Sequence, residues 1–227
     1  MPNLWQVSSS AIPARSILLV PIGSTEQHGA HLPLTTDADI AAALCQRATS
    51  GDPSTFVCLP LAFGASGEHQ DFPGTLSIGN EALEMLLLEL GRSAARTFAL
   101  TILVNAHGGN HAPVKAALDR LAFEQHPVIS WHAPLHGDLH AGDTETSIML
   151  ALAPESVDMS RAEVGNTGSL ADLMPGLISG GMRAVSPNGV LGDPTRATAA
   201  AGEVDLDTAT SALVSFIHDQ RGSRGLD

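Results

Sequence analysis

Short apolar runs alternate along the chain with longer stretches in which apolar residues recur every three or four positions. Residues 16–22 and 99–105 are nearly all apolar, a pattern typical of strands buried on both faces of a sheet. Residues 127–131 predict a third strand of this kind. Residues 56–63 also predict a strand, but Pro60 cannot donate to a sheet ladder and favours an edge or a bulge.

The stretches between these runs have a helical period. From Asn80 onward, one face of a predicted helix carries the leucines that we expect in the core: Leu83, Leu86, Leu87 and Leu90. Further helices are predicted over residues 40–49, 111–123 and 144–152. This alternation implies parallel strands with right-handed crossovers and helices on the sheet faces. We expect one α/β domain over residues 1–227.

The C-terminal third is less regular. Residues 165–193 are rich in Gly, Pro, Ser and Asn, and only residues 170–177 show helical spacing, so we expect an ordered excursion over the surface. Asp193 followed by Pro194 predicts a helix start, because Asp can cap and Pro loses no hydrogen bond at the first helical position. One or two closing helices are expected to run to about residue 220.

Composition and charge argue against several partners and locations. The chain has 11 basic and 24 acidic residues, a net charge of −13, which would repel a nucleic acid backbone. Its longest apolar runs are too short to cross a bilayer, so no membrane partner is expected. Only two cysteines are present, Cys45 and Cys58, and no charged and then apolar leader is apparent, which favours a cytoplasmic location.

The first predicted strand is followed at once by Gly23-Ser-Thr-Glu-Gln-His-Gly-Ala-His-Leu-Pro-Leu-Thr-Thr-Asp37. This segment concentrates Glu26, His28 and Asp37 at the carboxyl end of a strand, where the ligand crevice of open α/β sheets forms. The alternative is a hydrogen-bonded loop in which Asp37 or Asp39 caps the following helix, with Asp39 the better candidate if Asp37 binds metal.

Two further motifs follow later strands. Asn105-Ala-His-Gly-Gly-Asn110 contains His107, although this turn alone could also be an anion-binding helix start. The segment from residue 131 to 145 offers further candidates: His132, His136, His140, Asp143 and Glu145. Imidazoles with carboxylates suit zinc, iron or manganese, and one carboxylate can bridge two ions. Paired ions provide hydroxide at neutral pH and polarise a carbonyl, as amide hydrolysis requires.

These motifs resemble the creatininase family of amidohydrolases. The resemblance lies in Pro21-Ile-Gly-Ser-Thr-Glu-Gln-His-Gly-Ala-His-Leu-Pro with the following Thr-Asp37, in residues 105–110, and in His140-Ala-Gly-Asp-Thr-Glu-Thr-Ser147, in the family's order. It implies a three-layer α/β/α sandwich around a mostly parallel sheet and assembly as a homohexamer. It also implies a centre of two divalent metal ions with a bridging hydroxide.

The resemblance also assigns roles within this centre. Glu26 and His107 would bind one ion and His28 the other, while Asp37 would bridge both. His140 would transfer the proton to the departing nitrogen.

The chain departs from the family pattern at one ligand. Creatininase carries a glutamate two residues after the histidine matched by His107, whereas this chain has Gly109. We assign Glu145 as the substitute ligand and, with His140, as a catalytic residue. The departure also argues against creatinine as the substrate.

The tail predicts the substrate. Residues 165–194, including Val185-Ser-Pro-Asn-Gly-Val-Leu-Gly-Asp-Pro194, are most similar to a subgroup that removes a modified C-terminal Val-Tyr-derived dipeptide from a small precursor peptide in redox-cofactor biosynthesis. The leading function is therefore hydrolysis of a peptide amide bond. One alternative is hydrolysis of a small cyclic amide or formamide. The other is a metal-binding scaffold without turnover, and the presence of His140 argues against the scaffold.

The other polar residues have open or minor roles. His31 could support a ligand or only hydrogen-bond its loop, and His132 and His136 are expected to line the substrate pocket or to support ligands. Glu68 and Asp71 could line the pocket mouth or a solvated loop. We expect no site role for the remaining histidines: His69, His111, His126 and His218.

Overall fold

A parallel sheet forms the centre of the computed structural model, which describes residues 3–135 and 137–226. Its strands are β1 (Ile17–Ile22), β2 (Thr55–Val57), β3 (Leu100–Asn105) and β4 (Val128–His132). They lie in the order β2-β1-β3-β4, and every neighbouring pair is parallel. Ile22 pairs with Asn105, which pairs with His132, so the carboxyl ends of three strands are level.

Helices cover both faces of this sheet. They are α1 (Thr36–Ala48), α2 (Gly79–Ala94), α3 (His111–Phe123), α4 (Asp143–Leu152), α5 (Leu170–Val185) and α6 (Ala199–Arg224). In β1, Leu18 and Val20 pack with α2 and α3, whereas Ile17 and Leu19 pack with α1, α4 and α6. Alternate side chains of each strand therefore enter opposite cores. The predicted three-layer α/β/α sandwich is confirmed.

The strand predicted over residues 56–63 is much shorter in the structure. β2 ends at Val57 and lies at the edge of the sheet. Beyond Pro60, pairing with β1 continues only as a single bridge between Ile22 and Leu61. Proline has no N–H to donate, so the ladder is interrupted there. The predicted edge position is confirmed, but the predicted length is wrong.

The predicted cap of the first helix is also wrong. α1 begins at Thr36, ahead of the predicted residues 40–49, and Asp37 and Asp39 both lie inside its first turn. The residue before the helix, Thr35, makes no side-chain cap and instead donates to Asp39 at 2.7 Å. Asp37 is buried and points to the loop after β1, where Ser24 donates to it at 2.7 Å.

The leucine stripe of α2 is buried except at one position. Leu83 and Leu87 are completely buried, and Leu90 is half-buried against the same core, but Leu86 is 39% exposed. The prediction that all four leucines are core residues is therefore wrong for Leu86. The core contact of α2 runs through Leu88 instead, which is buried beside Leu87.

The C-terminal third is more helical than predicted. α5 runs well beyond residues 170–177 and is interrupted at Gly181, whose φ is 70°. Asp193 begins only a single turn, Pro194–Arg196, because the backbone becomes extended after it, and α6 starts later with Thr198 as its cap. Across the part of the chain that the structure describes, no helix has the length and apolarity needed to traverse a bilayer.

α6 holds α4, which carries Glu145, at a fixed distance. The two helices approach so closely that a Cβ at Gly202 would lie 1.9 Å from the carbonyl oxygen of Ser147. Below this contact, Leu206 of α6 and Ile148 of α4 are fully buried in the same core. The position of Glu145 therefore depends on a glycine in the neighbouring helix.

We predict that Gly202→Ala lowers the free energy of unfolding by about 1–3 kcal/mol, because the added methyl forces the two helices apart. Urea denaturation measures the change. Gly222→Ala on the same helix is the matched control, since a Cβ there meets nothing within 4 Å. It should stabilise the protein by about 0.5–1 kcal/mol through helix propensity. Equal effects of the two substitutions would contradict the close-contact explanation.

Candidate metal centre

Asn110 ties together the loops that follow β1, β2 and β3. Its Nδ2 donates to the carbonyl oxygen of Gly23 at 3.0 Å and to Oδ1 of Asn105 at 3.1 Å. Its Oδ1 accepts from the backbone N–H of Ala65 at 2.9 Å. Asn105 in turn donates to the carbonyl oxygen of His107 at 2.8 Å. These bonds fix the three loops relative to one another at the carboxyl edge of the sheet.

Glu26, Asp37 and His107 form one buried group at this edge. Nε2 of His107 lies 3.2 Å from Oε2 of Glu26, and its Nδ1 lies 3.1 Å from Oδ2 of Asp37. One potential ligand atom from each residue lies within 4.8 Å of the others. Three side chains, from the loop after β1, the first turn of α1 and the loop after β3, could therefore hold one cation.

A second group shares Asp37 with the first. Nε2 of His28 lies 3.1 Å from Oδ1 of Asp37 and 3.9 Å from Oε2 of Glu145. The same glutamate oxygen accepts from the backbone N–H of Ala141 at 2.6 Å, which fixes its position at the start of α4. The two oxygens of Asp37 thus face different histidines. The structure brings together all five residues predicted as metal ligands.

His140 lies directly beside these groups. Its ring centroid is 4.3 Å from that of His28, and its Nδ1 is 3.8 Å from Oε1 of Glu26. Its backbone exchanges hydrogen bonds of 2.8 and 3.2 Å with Leu191, so the tail segment holds it in place. Burial, the larger effect, and the charge of the neighbouring His28 keep the pKa of His140 well below its usual value. The predicted catalytic histidine is therefore inside the cluster in its neutral form.

Glu26 provides the test of whether this cluster suits a cation. Both of its carboxylate oxygens are buried and accept no hydrogen bond. Burial raises the pKa of Glu26 to about 7, although the imidazole of His107 opposes the shift. A buried carboxylate without hydrogen bonds is costly unless a cation compensates it. The donor set, with its oxygen and nitrogen atoms, fits a divalent transition metal.

A cavity of about 910 Å³ opens beside His107 and His140. Glu68 and Asp71 line this cavity, in agreement with the prediction that they could lie at the mouth of a pocket. The wall opposite the cluster is apolar and is formed by α5 through Leu170, Met174, Leu177 and Ile178. This volume lies within the range of pockets that enclose drug-sized ligands.

A family model described as creatinine amidohydrolase matches residues 4–217. The chain belongs to the creatininase family. It is 50% identical over 194 residues to the mycofactocin precursor peptide peptidase of Mycolicibacterium smegmatis, covering 82% of this chain and 78% of that protein. It is 48% identical over 211 residues to the protein of the same name from Mycobacterium ulcerans, covering 88% and 84%.

Solved structures agree with this assignment. A crystal structure of creatinine amidohydrolase has a TM-score of 0.78 to this chain at 26% identity, covering 91% of this chain and 90% of the other. Membership of the creatininase family confirms the resemblance predicted from the motifs. The chain is a metal-dependent hydrolase of amide bonds.

The creatininase-family centre contains one histidine that sequence reasoning missed. His69 was expected to have no site role, but it is buried with its Nε2 3.4 Å from Oε1 of Glu26 and its ring 4.5 Å from that of His140. The neighbouring Glu68 places Oε1 3.8 Å from Nε2 of His107. The available signal was position, since both residues lie in the loop that follows β2.

The other histidines of the motifs lie outside the two groups. His31 is buried and its Nε2 lies 2.9 Å from Oγ1 of Thr146, so it connects the first loop to α4. His132 stacks on His111 at 4.2 Å, beside a smaller cavity of about 170 Å³ that also reaches Glu145. His136 lies outside the described residues.

The pKa values of His28 and His107, which flank Asp37, are raised, whereas that of His140 is lowered. Burial is the largest single effect on His28 and lowers its pKa, but the carboxylates of Asp37, Glu145 and Glu26 together outweigh it and the pKa rises to about 10. Burial likewise opposes the effect of Glu26 and Asp37 on His107, whose pKa rises to about 9. Burial alone would raise the pKa of Asp37, yet His28 and His107 hold it well below its usual value.

We predict that the metal-free protein loses stability between about pH 7 and pH 10. A histidine whose folded pKa is raised stabilises the fold below its unfolded value of 6.5, and this contribution disappears as the pH passes about 9 for His107 and about 10 for His28. Thermal unfolding at several pH values measures the slope. His107→Asn should flatten it, whereas His218→Asn, at an exposed position on α6, should not. A slope insensitive to His107→Asn would refute the assignment.

Proposed function

We propose that the chain is a two-metal peptidase that cleaves an amide bond in the mycofactocin precursor peptide and releases the modified C-terminal Val-Tyr-derived dipeptide. The observation that carries this proposal is the cluster itself: all five expected ligands lie together with His140, and His107 and His140 also line a large cavity. Two relatives that are 48% and 50% identical to this chain over the aligned residues are named as that peptidase.

The proposed ligands divide into two sets with one shared member. Glu26 and His107 hold one ion, His28 and Glu145 hold the other, and Asp37 bridges them. The separation of the two Asp37 oxygens toward His107 and His28 supports the bridge. Zinc, iron and manganese all suit these ligands. When bound, such a pair of ions lowers the pKa of water and polarises a carbonyl oxygen.

The glycine at position 109 supports Glu145 as the substitute ligand. A Cβ at Gly109 would lie 2.3 Å from the carbonyl oxygen of Ala65 and 2.6 Å from Oε1 of Glu68. A glutamate therefore does not fit at this position without moving the loop after β2. Glu145 supplies a second carboxylate beside His28, from α4, in addition to that of Asp37.

His140 is the proposed proton-transfer residue. It lies between the cluster and the cavity, and its neutral form can take up a proton at Nδ1 and later deliver it to the departing nitrogen. Its backbone bridge to Leu191 fixes the residue at this boundary. The same contact explains why the tail segment matters to the site.

The cavity favours a peptide over a small amide. A volume of about 910 Å³ exceeds what a single cyclic amide or formamide needs, and the apolar wall of α5 suits the side chains of a peptide. The predicted homohexamer, the single domain and the cytoplasmic location stay predictions.

We expect Asp37→Ala to lose both ions, because one carboxylate contributes to both sites. Elemental analysis of the purified variant beside the wild type measures the ion content per chain. Asp39→Ala is the matched control, since Asp39 lies in the same helical turn but is exposed and bonded only to Thr35. If Asp37→Ala retained both ions, the bridging role would be wrong.

The function itself is tested by incubating the precursor peptide, with its C-terminal modification, with the wild type and with His140→Ala. Mass spectrometry should show release of the dipeptide by the wild type. His140→Ala should keep its metal content but cleave about 10²- to 10⁴-fold more slowly, because proton transfer contributes that much.

Three other results would argue against this account. Turnover of a formamide or a cyclic amide in place of the peptide would favour the small-amide alternative. No turnover of either class by metal-loaded protein would favour the scaffold. An unchanged rate for His140→Ala would remove this residue from the mechanism.

A further inference from the structure

The side-chain amide of Gln27 lies between two buried histidines, His69 and His140, and backbone groups fix its orientation. Its Oε1 accepts from the N–H of Gly29 at 2.9 Å, and its Nε2 donates to the carbonyl oxygen of Gly189 at 3.1 Å. A backbone N–H can only donate and a carbonyl can only accept. The two ends of the amide are therefore assigned without ambiguity.

The backbone of Gln27 determines the tautomer of His140. Nε2 of His140 lies 2.9 Å from the carbonyl oxygen of Gln27, which has no proton to give. The ring proton therefore resides on Nε2, and Nδ1 keeps its lone pair. This bare nitrogen is the atom that lies 3.8 Å from Glu26, on the side of the metal centre.

The side chain of Gln27 determines the tautomer of His69. An amide nitrogen has two protons, and one is taken by Gly189. Nε2 of His140, 3.2 Å away, already carries a proton and cannot accept the second. The second proton therefore goes to Nδ1 of His69 at 2.8 Å. His69 must then carry its own proton on Nε2, which lies 3.4 Å from Oε1 of Glu26.

We propose that Gln27 is a positioning residue that fixes both histidines: it leaves Nδ1 of His140 free to take up a proton, and it places the ring proton of His69 beside one oxygen of Glu26. The other oxygen of Glu26, next to His107, is then left for a cation. The consequence for catalysis rests on the proposed function, whereas the tautomers follow from the hydrogen-bond partners alone.

The tail segment supports this role. Gly189 has a φ of 78°, and a Cβ there would lie 2.1 Å from Oε1 of Gln27. A glycine is therefore needed both for the backbone conformation and for the approach to the amide. The segment that holds His140 through Leu191 also holds Gln27 through Gly189.

The test uses the metal-free protein with ¹⁵N-labelled histidine, because long-range ¹H–¹⁵N correlation spectra distinguish the two neutral tautomers. His69→Asn and His140→Asn identify the resonances. In the wild type we expect both rings to carry the proton on Nε2. In Gln27→Met, His69 should lose this preference and populate both tautomers, whereas His140 should keep it, since its partner is the backbone.

The second readout is zinc affinity, measured by competition with a chelating dye, together with kcat for the precursor peptide. Gln27→Met should lower one or both, because His69 then no longer holds its proton beside the ligand Glu26, and losing such support typically costs about 10- to 100-fold. Gln46→Met, at the other end of α1 from Asp37, is the control and should change neither.

Several results would overturn the proposal. A wild-type spectrum with the His69 proton on Nδ1 would do so, and this result needs no variant to fold. An unchanged His69 spectrum in Gln27→Met would do so as well, as would unchanged zinc affinity and kcat. If the tautomers are as assigned and Gln27→Met weakens zinc binding, but the wild type does not cleave the peptide, the substrate is wrong and the positioning role stands.

Discussion

Two carboxylates, Glu26 and Asp37, are buried together at the carboxyl edge of the sheet, and the surrounding structure has to offset the free energy of removing them from water. His28 and His107 flank Asp37 and stabilise its charged form. The charged form of Glu26 is stabilised less, because neither of its oxygens accepts a hydrogen bond. A pair of divalent cations would complete the compensation, and the same cations would supply the chemistry of amide hydrolysis.

The fold keeps these charges together by holding separate loops from several directions. Asn110 connects the loops after three strands through hydrogen bonds to backbone groups. α6 packs on α4 through the close contact at Gly202 and so fixes Glu145. The tail pairs with the backbone of His140 through Leu191 and so holds this residue beside the cluster. Each of these contacts restrains the position of one segment, so the metal-ligating side chains stay at fixed distances from one another.

Much of this arrangement could be predicted from local patterns. Buried parallel strands are apolar on both faces, so β1, β3 and β4 stood out, and the motifs that follow β1 and β3 identified Glu26, Asp37 and His107 as site residues. The family resemblance added the order of the motifs, and the departure from the family pattern at Gly109 led to the assignment of Glu145 as a substitute ligand. These features depend on residues close together in the chain.

The misses depend on contacts between distant segments. His69 follows β2, which has only three residues before Pro60 interrupts it, so periodicity did not show that this loop ends in the crevice. Leu86 has the spacing of a core residue, but packing leaves it exposed. Asp37 has the position of a helix cap, and its inward orientation depends on Ser24 in the preceding loop and on His107 in the distant loop after β3. Sequence periodicity contains none of this information.

The most direct test of the account is anomalous diffraction from crystals of the zinc-loaded protein. The account predicts two anomalous peaks per chain on either side of the Asp37 carboxylate, each about 2 Å from one of its oxygens. One peak should also contact Glu26 and His107, and the other His28 and Glu145. A single peak, or peaks that do not contact Asp37, would contradict the claim that two cations compensate the buried carboxylates.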